Sequence, residues 1–181
     1  MKKAFVFLAT GFEETEAIGT IDVLRRGGID TKIVSISEEY SVTSVHGIVV
    51  EADLLFTEAD LSGADALILP GGMPGSSNLN AFTPLKEALV NQYKKGKLVA
   101  AICAAPLVLG GLGLLKGKRA TCYPSFESTL TGAIVTGKVV ETDGNIITGK
   151  GPGLVFDFAL AVLTALKGQA TTDEIAAGLL L

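Results

Sequence analysis

Between Leu98 and Ile102 the chain runs through five consecutive apolar residues, and Cys103-Ala104-Ala105-Pro106 follows at once. A strand with one face in water alternates apolar and polar side chains. An unbroken apolar run bounded by a turn therefore belongs to a strand covered on both faces, in the middle of a parallel sheet. Proline lacks the N–H that the first turn of a helix leaves unused, so Pro106 sets a helix start just past the cysteine. This junction of buried strand, cysteine and helix fixes an α/β architecture more firmly than any other stretch of the sequence.

The remaining segments repeat the alternation. Ala4 to Leu8 is a short apolar run, and Glu14 to Arg26 places Ala17, Ile18, Ile21 and Leu24 at helical spacing before Gly27-Gly28 stops it. Thr31 to Ile36 reads as a strand, and after the polar stretch Ser37 to Ser44 a further strand-like run, His46 to Val50, is expected to pair with it as a small peripheral hairpin. Ala66 to Leu69 ends at Pro70-Gly71-Gly72, and Thr83-Pro84 opens a helix to Lys95. Leu107, Val108 and Leu112 lie on the helix after Cys103, which ends near Gly113. Arg119 to Cys122 is a further strand, and Val139 to Thr148 a hairpin about Asp143-Gly144-Asn145. The Gly149 to Gly153 loop launches an apolar helix through Leu166, and Thr171 to Leu180 is a last helix capped by Thr172. Repeated βα units imply right-handed crossovers and a mostly parallel sheet between helical layers, with sites outside the carboxyl ends of the strands. The loops after Leu8, Leu69, Ile102 and Cys122 are the candidates. At 181 residues without linker or repeat, residues 1–181 are expected to form a single domain.

Composition removes several classes of function. A net charge of -4 and a pI near 5.0 give no broad cationic surface, so no nucleic-acid-binding face is expected. Charged residues interrupt every long apolar run except the Gly-rich stretch Leu98 to Leu115, so no membrane span is expected. The opening apolar run is short, meets Glu13 and Glu14, and reads as a first strand rather than a leader. A cytoplasmic setting follows as the expectation, with Cys103 and Cys122 reduced.

Cys103 in its apolar setting is either an inert core residue or an activated thiol. Placed at a helix N-terminus, its thiolate would be favoured and its pKa would fall below the free value of about 8.5. The Gly72 and Ala104 amides, on neighbouring turns, are candidates for an oxyanion or anion pocket beside the sulfur, the alternative being ordinary turns. Glu13, Glu14 and Glu16 suit a helix start by dipole alone. Glu16 is the one expected to face the sheet edge and the sulfur, as a carboxyl that keeps its proton, while Glu13 and Glu14 stay solvated.

Gly11-Phe12-Glu13-Glu14-Thr15-Glu16, the stretch Asp22 to Ile29, Leu69-Pro70-Gly71-Gly72, Ala100 to Pro106 and Gly151-Pro152-Gly153 together resemble the ThiJ/PfpI superfamily, a class I glutamine amidotransferase-like domain. The match runs along nearly the whole chain and is nearest to the branch of the Parkinson-linked deglycase and stress chaperone. The resemblance implies a flavodoxin-like α/β sandwich, a homodimer, a nucleophilic and oxidisable Cys103, a protonated carboxyl partner at Glu16, and backbone donors at Gly72 and Ala104.

The sequence departs from that pattern at several places. Tyr123 stands where the branch carries a histidine, and a phenol with an ordinary pKa of about 10 donates a hydrogen bond but is a poor base. Ala104 stands where protease-like members have a histidine, which argues against a peptidase triad. His46, the chain's one histidine, falls where the branch has arginine: it is either a surface residue or, beside Arg26 of the partner subunit, part of an anion site. Cys122 either resolves an oxidised Cys103 as a disulfide or simply packs. Lys150 replaces an arginine and loses bidentate bonding. Cys103, Cys122 and His46 have no metal-ligand spacing, and no G-x-G-x-x-G occurs, so no metal and no cofactor is expected. Two functions fit: a cysteine-dependent enzyme of small reactive carbonyls or glycation adducts, and a redox-sensing dimeric chaperone without significant turnover.

Overall fold

The computed structural model describes every residue from Met1 to Leu181. In chain order the elements are β1 Lys3–Leu8, α1 Glu14–Arg26, β2 Asp30–Ser35, β3 Ser41–Thr43, β4 Val49–Glu51, β5 Leu54–Leu55, β6 Ala66–Leu69, α2 Gly75–Ala81, α3 Thr83–Lys94, β7 Leu98–Ile102, α4 Pro106–Gly111, β8 Arg119–Ala120, β9 Ile134–Val135, β10 Val140–Asp143, β11 Ile146–Gly149, α5 Val155–Lys167 and α6 Gln169–Gly178. The main sheet has the order β10-β11-β7-β6-β1-β2-β5, all neighbours parallel except the β10–β11 hairpin. Counting the strands of successive βα units, the order β2-β1-β6-β7-β11 is 2-1-3-4-5, that of flavodoxin-like sheets.

The apolar strands of the sequence have this character because both faces are covered. Along β7, Leu98, Ala100 and Ile102 join the core under α1 and α5, with Ala17, Ile21, Leu24, Phe158 and Val162. Val99 and Ala101 point the other way, into the core under α2, α3 and α4, with Leu79, Leu85, Leu89 and Val108. The period of two that a strand imposes is satisfied by hydrophobic residues on each side.

Four sequence expectations change. The hairpin is β3 with β4, and its first strand lies inside the polar stretch Ser37 to Ser44. His46 sits in the turn between them, not in a strand. α2 had no sequence signal: its seven residues include Gly75, Ser76, Ser77 and Asn78. α6 starts earlier than expected, so Thr172 is inside it, its hydroxyl donating to the Gly168 carbonyl at 3.1 Å instead of capping. The strand expected to Cys122 stops at Ala120 and pairs with β9 in a separate small sheet. No helix is long and apolar enough to cross a membrane.

Candidate active site

Three strand ends converge on one point: β1 leads to Glu16, β6 to Gly71 and Gly72, and β7 to Cys103. β1 and β6 flank the place where strand order reverses, the position at which open α/β sheets form a crevice. Cys103 takes up the first residue after β7 with φ +65, a left-handed conformation that costs an L-residue about 1–2 kcal/mol. The turn is held from both sides. Its N–H donates to the Gly149 carbonyl at 2.9 Å, and its carbonyl accepts the Tyr123 N–H at 2.8 Å. The sulfur-bearing residue is 7% exposed, so only small molecules or reagents reach it.

The thiol is not activated as the sequence suggested. α4 begins at Pro106 and is six residues long, so its start lies past the sulfur. The Gly72 and Ala104 amides, expected beside the sulfur, donate to the sulfur itself and favour its thiolate. Burial, followed by the Glu16 carboxylate's charge and hydrogen bond, outweighs them and pushes the thiol up to about 12.

Glu16 is fully buried, and burial pushes its carboxyl up to about 7, against the pull of the Cys103 thiol and the Gly71 amide. Its Oε2 accepts the Gly71 N–H at 2.7 Å. Its Oε1 is buried with no well-aligned partner, and the polar group that the carboxyl faces is the Cys103 thiol. The two acids titrate as one pair, which loses its first proton near pH 7 and its second near 12. The singly charged pair holds either carboxylate and thiol or carboxyl and thiolate, and the second form is the nucleophile.

Gly71 and Glu13 were not recognised as site residues from the sequence. A Cβ on Gly71 would lie 2.6 Å from the Cys103 Cβ and 2.7 Å from Glu16 Oε2, so this position must be glycine for the carboxyl and sulfur to meet. Gly72 has φ +88, and a Cβ there would strike the Glu13 N–H group and the Gly11 carbonyl. Glu13 and Glu14 are half-buried rather than solvated. Glu13 caps α1, and Glu14 Oε1 lies 2.7 Å from His46 Nδ1.

The other candidates divide. Tyr123 is 45% exposed and lines a cleft of about 340 Å³ with Pro124, Lys150, Pro152 and Leu154. Lys150 Nζ donates to the Gly137 carbonyl. Arg26 pairs with Asp22 at the far end of α1 and takes no part in the site within one protomer. Cys122 is buried in the α2–α4 core, whereas Cys103 belongs to the core on the other face, so Cys122 packs. Burial and then Glu127 push its thiol up to about 11. Ligand atoms of Glu13, Glu14 and His46 lie within 4.8 Å of one another, the one such group suited to a metal, but the Glu16 amide and the Glu14–His46 contact engage them already.

The DJ-1/PfpI family pattern matches residues 2–165. Protein DJ-1 homolog B of Arabidopsis thaliana is 40% identical over 99% of this chain, which spans only 42% of that relative's length. A protein of Caenorhabditis elegans named glutathione-independent glyoxalase DJR-1.2 is 36% identical over 90% of this chain and 87% of its own. The solved structure of oxidized Toxoplasma gondii DJ-1 superposes with a TM-score of 0.95 at 34% identity, covering 99% of this chain and 98% of that one.

Proposed function

This chain belongs to the DJ-1/PfpI family, and from that premise we propose that it is a cofactor-independent enzyme that converts small 2-oxoaldehydes to 2-hydroxy acids, with early glycation adducts as related substrates. The observation that carries the reading is a buried carboxyl with a pKa of about 7 facing a strained cysteine. A group of that pKa both gives and takes protons at neutral pH. The C. elegans relative's name supports the substrate class.

The steps balance without an external redox partner. The Cys103 thiolate attacks the aldehyde carbon, a C–S bond forms, and the Glu16 carboxyl protonates the carbonyl oxygen. Glu16 carboxylate then removes the proton from that carbon to give an enediol and returns it to the adjacent carbon, while the hydroxyl proton on the first carbon's oxygen passes to the former ketone oxygen. The aldehyde carbon is oxidised to a thioester while the ketone is reduced to an alcohol. Water cleaves the thioester and restores the thiol. The Gly72 and Ala104 amides stabilise the thiolate as it attacks and leaves. Tyr123 lines the approach and donates a hydrogen bond to the substrate. With Ala104 beside the cysteine and His46 turned to Glu14, no imidazole serves a peptidase mechanism. The reading includes a cytoplasmic homodimer whose interface covers Ile18, Ile48 and Val49, all exposed in one protomer.

A second reading, a redox-sensing dimeric chaperone, draws on the oxidized state of the Toxoplasma relative. A protonated Glu16 beside the sulfur would donate to a sulfinate oxygen. The deciding experiment compares methylglyoxal consumption by the wild type and Cys103→Ser, with mass spectrometry under graded peroxide. Consumption that disappears with the thiol supports the enzyme. Sulfinate at Cys103 with no consumption reverses the choice.

A further inference from the structure

Glu13 stands at the N-cap of α1 and Glu16 three residues on, the spacing of a capping box. In such a box the N3 carboxylate reaches back to the N-cap amide and closes both groups locally. Half of that closure is present: Glu13 Oε2 accepts the Glu16 N–H at 2.7 Å. The other half is opened. The Glu13 N–H donates to the Gly71 carbonyl at 2.9 Å, and the Gly71 N–H donates to Glu16 Oε2 at 2.7 Å. One residue of the β6 loop, Gly71, is inserted into the box through its carbonyl and its N–H, and the resulting ring of three hydrogen bonds turns the Glu16 carboxyl from its own helix end toward the thiol.

We propose that Glu13 is a positioning residue for the Cys103–Glu16 pair, holding the Glu16 carboxyl on the sulfur through the backbone of Gly71. The inference rests on the reading that Cys103 and Glu16 act as one site. Serine, threonine, asparagine and aspartate are the preferred caps, so capping alone does not call for glutamate. Glu16 Oε1 has no aligned partner, so the orientation of the carboxyl depends on Oε2 and the ring. Glu13 also acts on Glu16 through its charge, raising the carboxyl's affinity for its proton. The groups around Glu16 are few. The Cys103 thiol faces it from the β7–α4 turn and the neutral Gly71 peptide from the β6 loop, while Glu14 is turned to His46 and Asp157 on α5 is exposed.

The test follows the rate of Cys103 alkylation by iodoacetamide against pH, with peptide mapping to separate Cys122, in the full chain. In the wild type the rate steps upward near pH 7, where the pair loses its first proton. Glu13→Gln keeps an oxygen for the Glu16 amide and removes the charge, so the step persists and moves to lower pH. Glu13→Ala frees the carboxyl, so the step flattens and the rate at about pH 8 falls on the order of tenfold. A step that stays at the wild-type pH and height in both variants, with only the melting temperature lowered, makes Glu13 a helix cap and overturns the proposal. So does a wild-type profile with no step. A step that flattens in Glu13→Ala and persists in Glu13→Gln, in a protein that consumes no oxoaldehyde, supports the positioning role while removing the enzyme reading alone.

Discussion

The Gly71 amide donates to Glu16 Oε2 at 2.7 Å, and the same glycine leaves no space for a side chain between that oxygen and the Cys103 Cβ. Both neighbours are buried and one is a β-carbon, so neither moves aside as a flexible side-chain tip would. Gly71→Ala is expected to destabilise the protein by about 1–3 kcal/mol, the usual cost of overpacking. It should also slow Cys103 alkylation. Denaturant unfolding and iodoacetamide kinetics check the two effects separately, and an alanine variant with wild-type stability would mean that the turn relaxes more readily than the geometry allows.

Glu16 makes the protein's stability depend on pH in a direction opposite to that of an ordinary surface acid. Its carboxyl holds its proton up to about pH 7 in the folded chain, against 4.5 for an unperturbed group. Between those values the unfolded chain has released a proton that the folded chain keeps. Stability therefore falls as pH rises through the window, by on the order of 3 kcal/mol when complete. The Cys103 thiol, displaced from 9.0 to about 12, continues the decline at alkaline pH. Glu16→Gln removes the first of these effects. It is expected to be more stable than the wild type at about pH 8 and nearly equal at about pH 4, and urea midpoints at the two pH values decide it.

The βα alternation and the two helical layers were legible in the sequence because local signals and burial agreed: Leu98 to Ile102 is apolar throughout, and Gly27 and Pro84 punctuate α1 and α3. The flavodoxin-like sheet was implied only by the resemblance. The residue pattern pointed to Cys103 and Glu16, and the resemblance implied the same pair. The electrostatics were not legible, since a sequence shows which elements a cysteine joins and not how deeply the sulfur lies. At Cys103 desolvation exceeds the pull of two amides, and the sign of the shift reverses. Gly71 and Glu13 were missed because their roles depend on contacts between segments more than fifty residues apart, for which neither local pattern nor propensity gives a signal. α2, built around glycine, serines and asparagines, is held by its packing against α4 and not by propensity.

Cys122 lies in the core on the face of the sheet opposite to that of Cys103, with its thiol pushed up to about 11. The opposite faces keep the two sulfurs from forming a disulfide. Peroxide is expected to oxidise Cys103 and leave Cys122 as a thiol, because the Glu16 carboxylate beside Cys103 can take up the thiol's proton, a hydrogen-bonded base that Cys122 lacks. Cys122→Ala should leave methylglyoxal consumption unchanged. Intact-mass and peptide-level spectra after peroxide check the first outcome, and a loss of two hydrogens shared between the two cysteine peptides would restore the resolving role.

The backbone at Cys103 makes a prediction that separates strain from chemistry. At most positions glycine is less stable than alanine by about 0.5–1 kcal/mol, because the unfolded chain gains freedom. With φ at +65, alanine keeps the clash between its Cβ and the backbone that glycine avoids, a difference of about 1–2 kcal/mol in the other direction. Cys103→Gly should consequently be the more stable of the two by up to roughly 1.5 kcal/mol, although both lack the sulfur. Paired unfolding curves at one pH measure this directly. If the alanine variant proves more stable, the turn relaxes to a negative φ once the sulfur is gone. The left-handed conformation is then imposed by the contacts of the sulfur with Gly72, Ala104 and Glu16, and not by the Gly149 and Tyr123 hydrogen bonds that flank the residue.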